Sequence, residues 1–508
     1  MSESKVENRT NKSMKNIIYG IIEKVVILLL TFVRRKLFIM YIGVEFLGIN
    51  GLFTEILGML SMADLGLGTA MAYSFYKPLA EKDNKKISAL ITFYKKLYNY
   101  IALAVAIIGV AFVPFLKYIV NTDKNIPHLT LYYLIFLSNT VVSYLFVYKS
   151  SIISADQKGY LISSYSVWVN VGKLVVQTIF LVLTKNYVVY ILMDVIGTIV
   201  NNFIISYNAN KYYPYIKKKE ILDKTERKSI MANLKSVFIY KVSSVFMNST
   251  DNTIISILIG TIWVGYCSNY TTVTVNITAF VTIIFTAITP SIGNLIVESE
   301  SKKSHAVFSL MQMVSFCLAG IFTACVYIGI NDFVTLWIGK KFIIDNIIVI
   351  SLLINFYLGI SLQPLWSYRS GTGLYNQTRY VMFICAILNI ILSIILGKII
   401  GVSGIFFASF ISKILTYVWY EPYLLFKQYF NSSSIRYYVE QIFNFLLTLV
   451  CIFISFNLTS VIKEVTLLNL LIKIAITGMI SSAIFLIRYI GTKEFKEFKK
   501  RLKRIREK

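Results

Sequence analysis

Long apolar runs, broken by short polar or turn-rich stretches, follow one another along this chain from end to end. They fall near 16–41, 47–75, 97–120, 130–149, 161–184, 187–209, 236–259, 263–292, 306–330, 344–365, 380–397, 402–426, 438–459 and 466–490. A helix needs roughly 20 predominantly apolar residues to cross a bilayer. The pattern therefore predicts an all-α polytopic membrane protein of about fourteen transmembrane helices. The first, second and eighth runs are rich enough in polar residues for a hydropathy window to pass over them. Residues 1–15 are polar, and the run after them carries charges midway and lacks a small-residue cleavage site. It reads as a retained first span, not a removable signal.

Sidedness gives an independent check. With the N-terminus in the cytoplasm, about 36 Lys/Arg fall on the cytoplasmic side, about 7 outside and about 8 within spans, as the positive-inside rule demands. The largest basic clusters are the loop from Lys211 to Lys235 and the tail from Lys493 to Lys508. Slipping the register by one span scrambles this split, so both termini are placed in the cytoplasm.

An internal repeat organises the spans. Ile42-Gly43-Val44-Glu45-Phe46-Leu47-Gly48 follows the first run, and Ile259-Gly260-Thr261-Ile262-Trp263-Val264-Gly265 follows the seventh. Both read I-G-x-x-aromatic-aliphatic-G at the outer turn between the first two spans of a six-span unit. This predicts two related six-helix lobes around an inter-lobe cavity. The expected organisation is a cytoplasmic tail at 1–15, an N-lobe at 16–209, a basic cytoplasmic linker at 210–235 and a C-lobe at 236–426. Two further helices follow at 427–490, then a basic cytoplasmic tail at 491–508.

Composition narrows the classes of function. The chain of 508 residues is 56% apolar with mean hydropathy +0.67, and only 15% of it is charged. Soluble domains run at roughly 45–50% apolar and about 25% charged. Its 51 Lys+Arg against 25 Asp+Glu give a formal charge of +26. In so apolar a chain that excess marks membrane sidedness and excludes a basic, soluble nucleic-acid binder. Cys267, Cys317, Cys325, Cys385 and Cys451 all lie in apolar runs without metal-type or paired spacing, and read as small core hydrophobes.

Charged groups inside spans are costly and are functional suspects by default. Several share a helical face with other polar residues at spacings of three and four. The first span carries Lys24, Thr31 and Arg34, with Arg35 and Lys36 alongside; the fifth carries Ser166, Asn170, Lys173 and Gln177. The seventh carries Lys241, Ser244, Asn248 and Asp251, and the twelfth Ser409, Lys413, Thr416 and Tyr420. Such stripes are expected to line a wet interior. Arginines grip phosphate bidentately and lysines act as point charges. Arg34, Arg35, Lys173, Lys241 and Lys413 are thus candidate cavity cations for an anionic ligand. The repeat aligns Asp251 with Arg34. Asp64 and Asp251 are candidates for binding a coupling ion, H+ or Na+, or for balancing a neighbouring cation.

Other features carry blander readings. Gly66 and Gly68 in a membrane span point to close packing or a hinge rather than a nucleotide fingerprint. Pro290 and Pro364 lie near span ends, where helix termination is expected. The tail places Phe495, Phe498, Leu502 and Ile505 on one face, expected on anionic lipid or else on a partner. His128 and His305 are placed in loops without triad or ligand partners. With no phosphate loop and no metal cluster, the chain is not read as an enzyme.

Ala63-Asp64-Leu65-Gly66-Leu67-Gly68 running into Tyr76-Lys77-Pro78-Leu79-Ala80 resembles the end of span two in Wzx-type polysaccharide repeat-unit flippases. Thr250-Asp251-Asn252 with Ile259-Gly260 and Tyr266-Cys267-Ser268-Asn269-Tyr270 resembles their spans seven and eight. Pro290-Ser291-Ile292-Gly293-Asn294, Ser370-Gly371-Thr372-Gly373-Leu374-Tyr375 and Glu421-Pro422 extend the likeness, in order, to span twelve. The resemblance places the chain in the multidrug/oligosaccharidyl-lipid/polysaccharide exporter superfamily. It implies two six-span bundles around a cavity and movement of undecaprenyl-pyrophosphate-linked oligosaccharide repeat units from the cytoplasmic to the outer leaflet. Alternating access coupled to a cation gradient, in a bacterial plasma membrane, is the expectation.

The partners that the resemblance implies are the lipid-linked oligosaccharide, membrane lipids, a polysaccharide polymerase and glycosyltransferases, with no nucleic acid. No cofactor or metal is expected. Lipid II flippases place arginines in spans one, two and eight, whereas spans two and eight here have none in their interiors. That departure favours a capsule, exopolysaccharide or O-antigen-type cargo. A lipid II flippase or a multidrug/toxin antiporter of the same fold stands as the alternative, and an acidic cavity would mark the latter.

Overall fold

In a computed structural model, residues 9–61, 71, 74–75, 78–79, 81–122, 126–156, 158–228, 230–231, 250–298, 301–372 and 374–506 are described. Among these the chain is helical, with no strand. The helices are α1 (Arg9–Tyr41), α2 (Val44–Leu60), α3 (Asn84–Ala111), α4 (Leu129–Tyr144), α5 (Val147–Ala155), α6 (Gly159–Thr184), α7 (Tyr187–Tyr212), α8 (Asp251–Leu258) and α9 (Thr261–Glu298). They continue as α10 (Ser301–Ile338), α11 (Asn346–Ser361), α12 (Gln363–Thr372), α13 (Tyr375–Ile400), α14 (Val402–Leu415) and α15 (Tyr417–Leu425). The last are α16 (Ile435–Thr459), α17 (Leu467–Tyr489) and α18 (Lys493–Arg506). The chain divides into two compact units, Met1–Ile262 and Trp263–Lys508.

Eight of the described helical segments are long and apolar enough to cross a membrane, and ten if each of two bent pairs counts as one span. The bent pairs are α4 with α5, at 42°, and α11 with α12, at 43°. The chain is thus built as a multi-pass membrane protein. The first, second and eighth predicted runs, which α1, α2 and α9 occupy, fall outside that count, and α2 is only 17 residues long. In α9 the hydroxyls answer for themselves: Thr272, Thr278 and Thr282 donate to the carbonyls of Ser268, Thr274 and Thr278, one turn back. A hydroxyl bonded within its own helix costs far less in an apolar medium than a free one.

The repeated I-G pair is a single kind of turn. Gly43 joins α1 to α2 with φ +110°, and Gly260 joins α8 to α9 with φ +141°. The N–H groups of Ile42 and Gly43 both reach the Phe38 carbonyl, at 2.8 and 3.3 Å. Those of Ile259 and Gly260 both reach the Ile255 carbonyl, at 3.0 Å each. Glycine is required because only it enters this backbone region without strain. Ile338-Gly339 closes α10 in the same manner, with φ +111°.

One proline expectation is corrected: helix α9 does not end near Pro290 but runs on to Glu298. At Pro364 the expected helix termination is present, since α11 ends at Ser361 and the chain bends by 43° into α12, whose first turn holds the proline. An interior proline removes one backbone hydrogen bond, a defect that membrane helices accommodate through local adjustment.

Unit 1 packs α1 on α6 and α6 on α7, with an aromatic knot of Phe38, Phe46, Tyr132 and Tyr187 beside them. The Tyr187 hydroxyl donates to Asn50 Oδ1 at 2.6 Å, tying α7 to α2. In unit 2, α10 is the central post, packed by α11, α16 and α17. Small residues let the helices close: a Cβ on Gly320 would lie 2.2 Å from Phe485 Cζ, and one on Gly404 would lie 2.1 Å from the Leu396 carbonyl. Such small-residue crossings are the usual means of tight packing in lipid. Cys267, Cys385 and Cys451 are buried and Cys317 and Cys325 half-buried, all as free thiols.

Candidate functional site

The polar stripes of the first and fifth predicted spans face one another. Thr31 and Arg34 on α1, with Asn170, Lys173 and Gln177 on α6, line one cavity of about 40 Å³. Its volume suits about one water, whose share of the liquid is about 30 Å³. Each side chain here is held. Thr31 donates to the Ile27 carbonyl, Asn170 to the Ser166 carbonyl, and buried Gln177 to the Tyr190 carbonyl of α7 at 3.1 Å.

The cations of this patch converge on an acid from a third helix. Lys173 Nζ lies 3.0 Å from Asp194 Oδ1, and Arg34 Nη1 lies 3.5 Å from the same atom. Asp194 sits about two turns into α7, where it interrupts the run Ile191-Leu192-Met193-Asp194-Val195-Ile196. A search for clustered cations passes over it; the lone acid within an apolar run is the signal that finds it. Gly197, one turn further along α7, clears the way for the lysine, since a Cβ there would lie 2.5 Å from Lys173 Cδ. Arg35 follows Arg34 on α1 and is half-buried. Two cations thus share one carboxylate, and the local charge stays positive.

Asp251 occupies the first residue of α8, and its setting differs. Glu55 of α2 points at this turn, with the Asn252 side chain and the backbone N–H groups of Asn252 and Thr253 as its hydrogen-bond partners. The positive end of a helix accommodates a carboxylate in this way. The repeat equivalent of Arg34 therefore lies beside a second acid, Glu55, which cation-based reasoning had not singled out. Helix α8 is anchored further by Ser256 Oγ, which donates to the Ile119 carbonyl at 2.6 Å.

In unit 2, Lys413 Nζ donates to Asn355 Oδ1 at 3.0 Å, and the Asn355 amide donates in turn to the Phe406 carbonyl at 2.8 Å. The stripe that was to continue from Lys413 is broken, because the helix is interrupted at Thr416 (φ −124°, ψ −101°). Lys241 and Asp64 lie outside the described residues.

Among the described residues of unit 2, three further ion pairs are at least partly buried on both sides. Arg369 Nη1 meets Glu421 Oε1 at 2.6 Å, with the Glu421 side chain 2% exposed. Lys473 of α17 meets Asp332 of α10 at 2.7 Å, and Arg488 of α17 meets Glu440 of α16 at 2.9 Å. The last two fasten the C-terminal helices at both ends. His305, expected in a loop, lies in α10 and stacks on Phe430 with ring centroids 4.8 Å apart. Phe495 and Phe498 of α18 seat on a cluster containing Met313 and Phe485, so this part of the tail's apolar face meets protein.

No protein-family model matches the chain, and no curated protein matches its sequence. Its fold is similar to that of the lipid II flippase MurJ in an inward closed conformation, with TM-score 0.68 and 16% identity over 93% of this chain and 98% of that one. It is also similar to an inward-facing multidrug resistance MATE family transporter of the MOP superfamily, with TM-score 0.62 and 13% identity over 79% and 97% of the two chains. The MATE multidrug transporter DinF-BH gives TM-score 0.58 and 16% identity over 85% and 100%. At these identities the likeness establishes the fold.

Proposed function

We propose that this chain is a flippase for undecaprenyl-pyrophosphate-linked oligosaccharide repeat units, serving capsule, exopolysaccharide or O-antigen-type polysaccharide synthesis. The observation that carries the reading is the sharing of Asp194 by Arg34 and Lys173 inside the helical bundle. One carboxylate leaves the two cations with surplus charge in a medium where surplus charge is costly, and an anionic group offsets it. A pyrophosphate supplies several acceptor oxygens, which suit the planar guanidinium of Arg34 and the point charge of Lys173. The likeness to a lipid II flippase supports a lipid-linked cargo. A cavity lined by cations favours this cargo over a cationic drug. Nothing in the reading requires covalent chemistry by the protein.

The proposed cycle is alternating access of two lobes, 16–209 and 236–426 joined by 210–235, in a bacterial plasma membrane with both termini cytoplasmic. Arg34, Arg35, Lys173, Lys241 and Lys413 would meet phosphate or acidic sugar. Asp251 beside Glu55, and Asp64, would take the coupling H+ or Na+. The test is gene deletion followed by leaflet analysis of lipid-linked oligosaccharide. Accumulation in the inner leaflet is expected. An unchanged distribution together with gained drug sensitivity would sink the reading in favour of drug extrusion.

A further inference from the structure

Unit 2 holds a chamber of about 170 Å³ between α10, α16, α17 and the start of α18. A water's share of liquid volume is about 30 Å³, so the chamber has room for a molecular headgroup. Gln312 and Tyr437, 5% and 4% exposed, both line it, and among the described residues Gln312 Oε1 and Tyr437 Oη have no hydrogen-bond partner. The Gln312 amide nitrogen is committed to the Ser361 carbonyl at 2.9 Å, which fixes its oxygen as the free end. Arg488 spends Nη2 on both Glu440 oxygens, at 2.9 and 3.0 Å, and leaves Nε without a partner among the described residues. Buried polar atoms without partners are rare in native structures and call for an occupant.

We infer that this chamber binds the headgroup of a phospholipid that joins a primary ammonium to a phosphate. Arg436, Arg488, Glu440 and Glu494 line it, so its formal charges cancel. A ligand of net charge would be buried there without compensation, whereas a zwitterion is matched at both ends. The free Gln312 oxygen asks for a donor, and the free Arg488 Nε asks for an acceptor. Phe308 and Phe426 add aromatic faces, which attract an ammonium. Arg436 is held to Glu494 only at 3.9 Å and is 81% exposed, free to swing to a phosphate. The acyl chains have a place as well. Ile435, Val439 and Ile442, each more than half exposed, form one apolar face of α16 beside Arg436 and Glu440.

The test uses the full chain in detergent micelles, with bound lipid counted by native mass spectrometry. Phosphatidylethanolamine is expected to be retained about tenfold over phosphatidylglycerol and over phosphatidylcholine at equal concentration, which corresponds to about 1.4 kcal/mol. Gln312→Leu and the surface substitution Arg436→Gln should each erase about that preference. Equal retention of phosphatidylglycerol, or of phosphatidylcholine with its quaternary ammonium, overturns the proposal. So does binding of soluble glycerophosphoethanolamine as tight as that of the lipid, or a preference untouched in Arg436→Gln, which retains its fold whatever becomes of the buried Gln312→Leu.

Discussion

The Lys173 ammonium lies 3.0 Å from Asp194, and its aliphatic stem crosses Gly197, which stands one turn beyond that acid on the same helix. The glycine therefore serves the ion pair and not the helix, since an alanine would favour the helix by about 0.5–1 kcal/mol. Gly197→Ala should leave the protein folded, displace Lys173 from Asp194 and lower transport. Thermal unfolding in detergent and flux in vesicles read the two effects separately. An alanine variant with normal transport would detach Lys173 from the site.

Asp194 balances two cations, so its removal should be worse than the removal of either. Asp194→Asn is expected to destabilise the protein and to abolish transport. The three side chains retain some solvent, 36% for Arg34, 28% for Asp194 and 18% for Lys173, so the stability loss should fall below the roughly 3–5 kcal/mol of a fully buried pair. Adding Lys173→Met should recover stability without recovering transport. Arg34→Gln alone should lower transport at least about tenfold, the effect of about 1.4 kcal/mol at one phosphate contact. Recovery of transport in the double variant would count against an anionic cargo at this place.

The ion pair of Lys473 and Asp332 makes the contrasting case. At 2.7 Å, with side chains 12% and 18% exposed, it joins α17 to α10 where Gly329 already allows close approach. Lys473→Met is expected to cost about 3–5 kcal/mol by stranding the acid, and Asp332→Leu in addition should restore most of it. Transport per folded molecule should not change in either variant. A specific loss of transport at normal stability would move Lys473 into the cargo path.

What the chain reveals before folding is uneven, for physical reasons. Apolar runs announce membrane helices because length and hydropathy suffice for them, and α1, α2 and α9 were legible as runs set off by polar or turn-rich breaks. The Ile-Gly pair after α1 and after α8 was legible because a positive φ leaves few residues to choose from. The facing stripes of α1 and α6 followed from the 3.6-residue period. Their shared acid did not, because Asp194 is the one charged residue of α7 before Lys211, and pairing across helices has no local signature. Glu55 escaped for the same reason. The break at Thr416, which severs the stripe around Lys413, carries no glycine or proline to mark it.

The matched turns yield the sharpest test of local structure. At Gly43 a Cβ would meet nothing within 4 Å, so a substitution there acts through the backbone alone. Its φ of +110° with ψ 166° lies in a region that is essentially reserved for glycine, and strain of this kind costs about 1–3 kcal/mol. Gly43→Ala should lower stability by that amount. Gly58, in the body of the next helix and equally uncrowded, is the control: Gly58→Ala should be neutral or stabilising by about 0.5–1 kcal/mol. Gly260→Ala should behave like Gly43→Ala, because its φ is +141° and the nearest atom to a Cβ there, the Asn121 carbonyl, is 3.8 Å away. Chemical denaturation of the three variants in one detergent settles the order. If Gly43→Ala and Gly260→Ala fell on opposite sides of the parent, the two turns would not be the same device, and the structural repeat would lose its best local support.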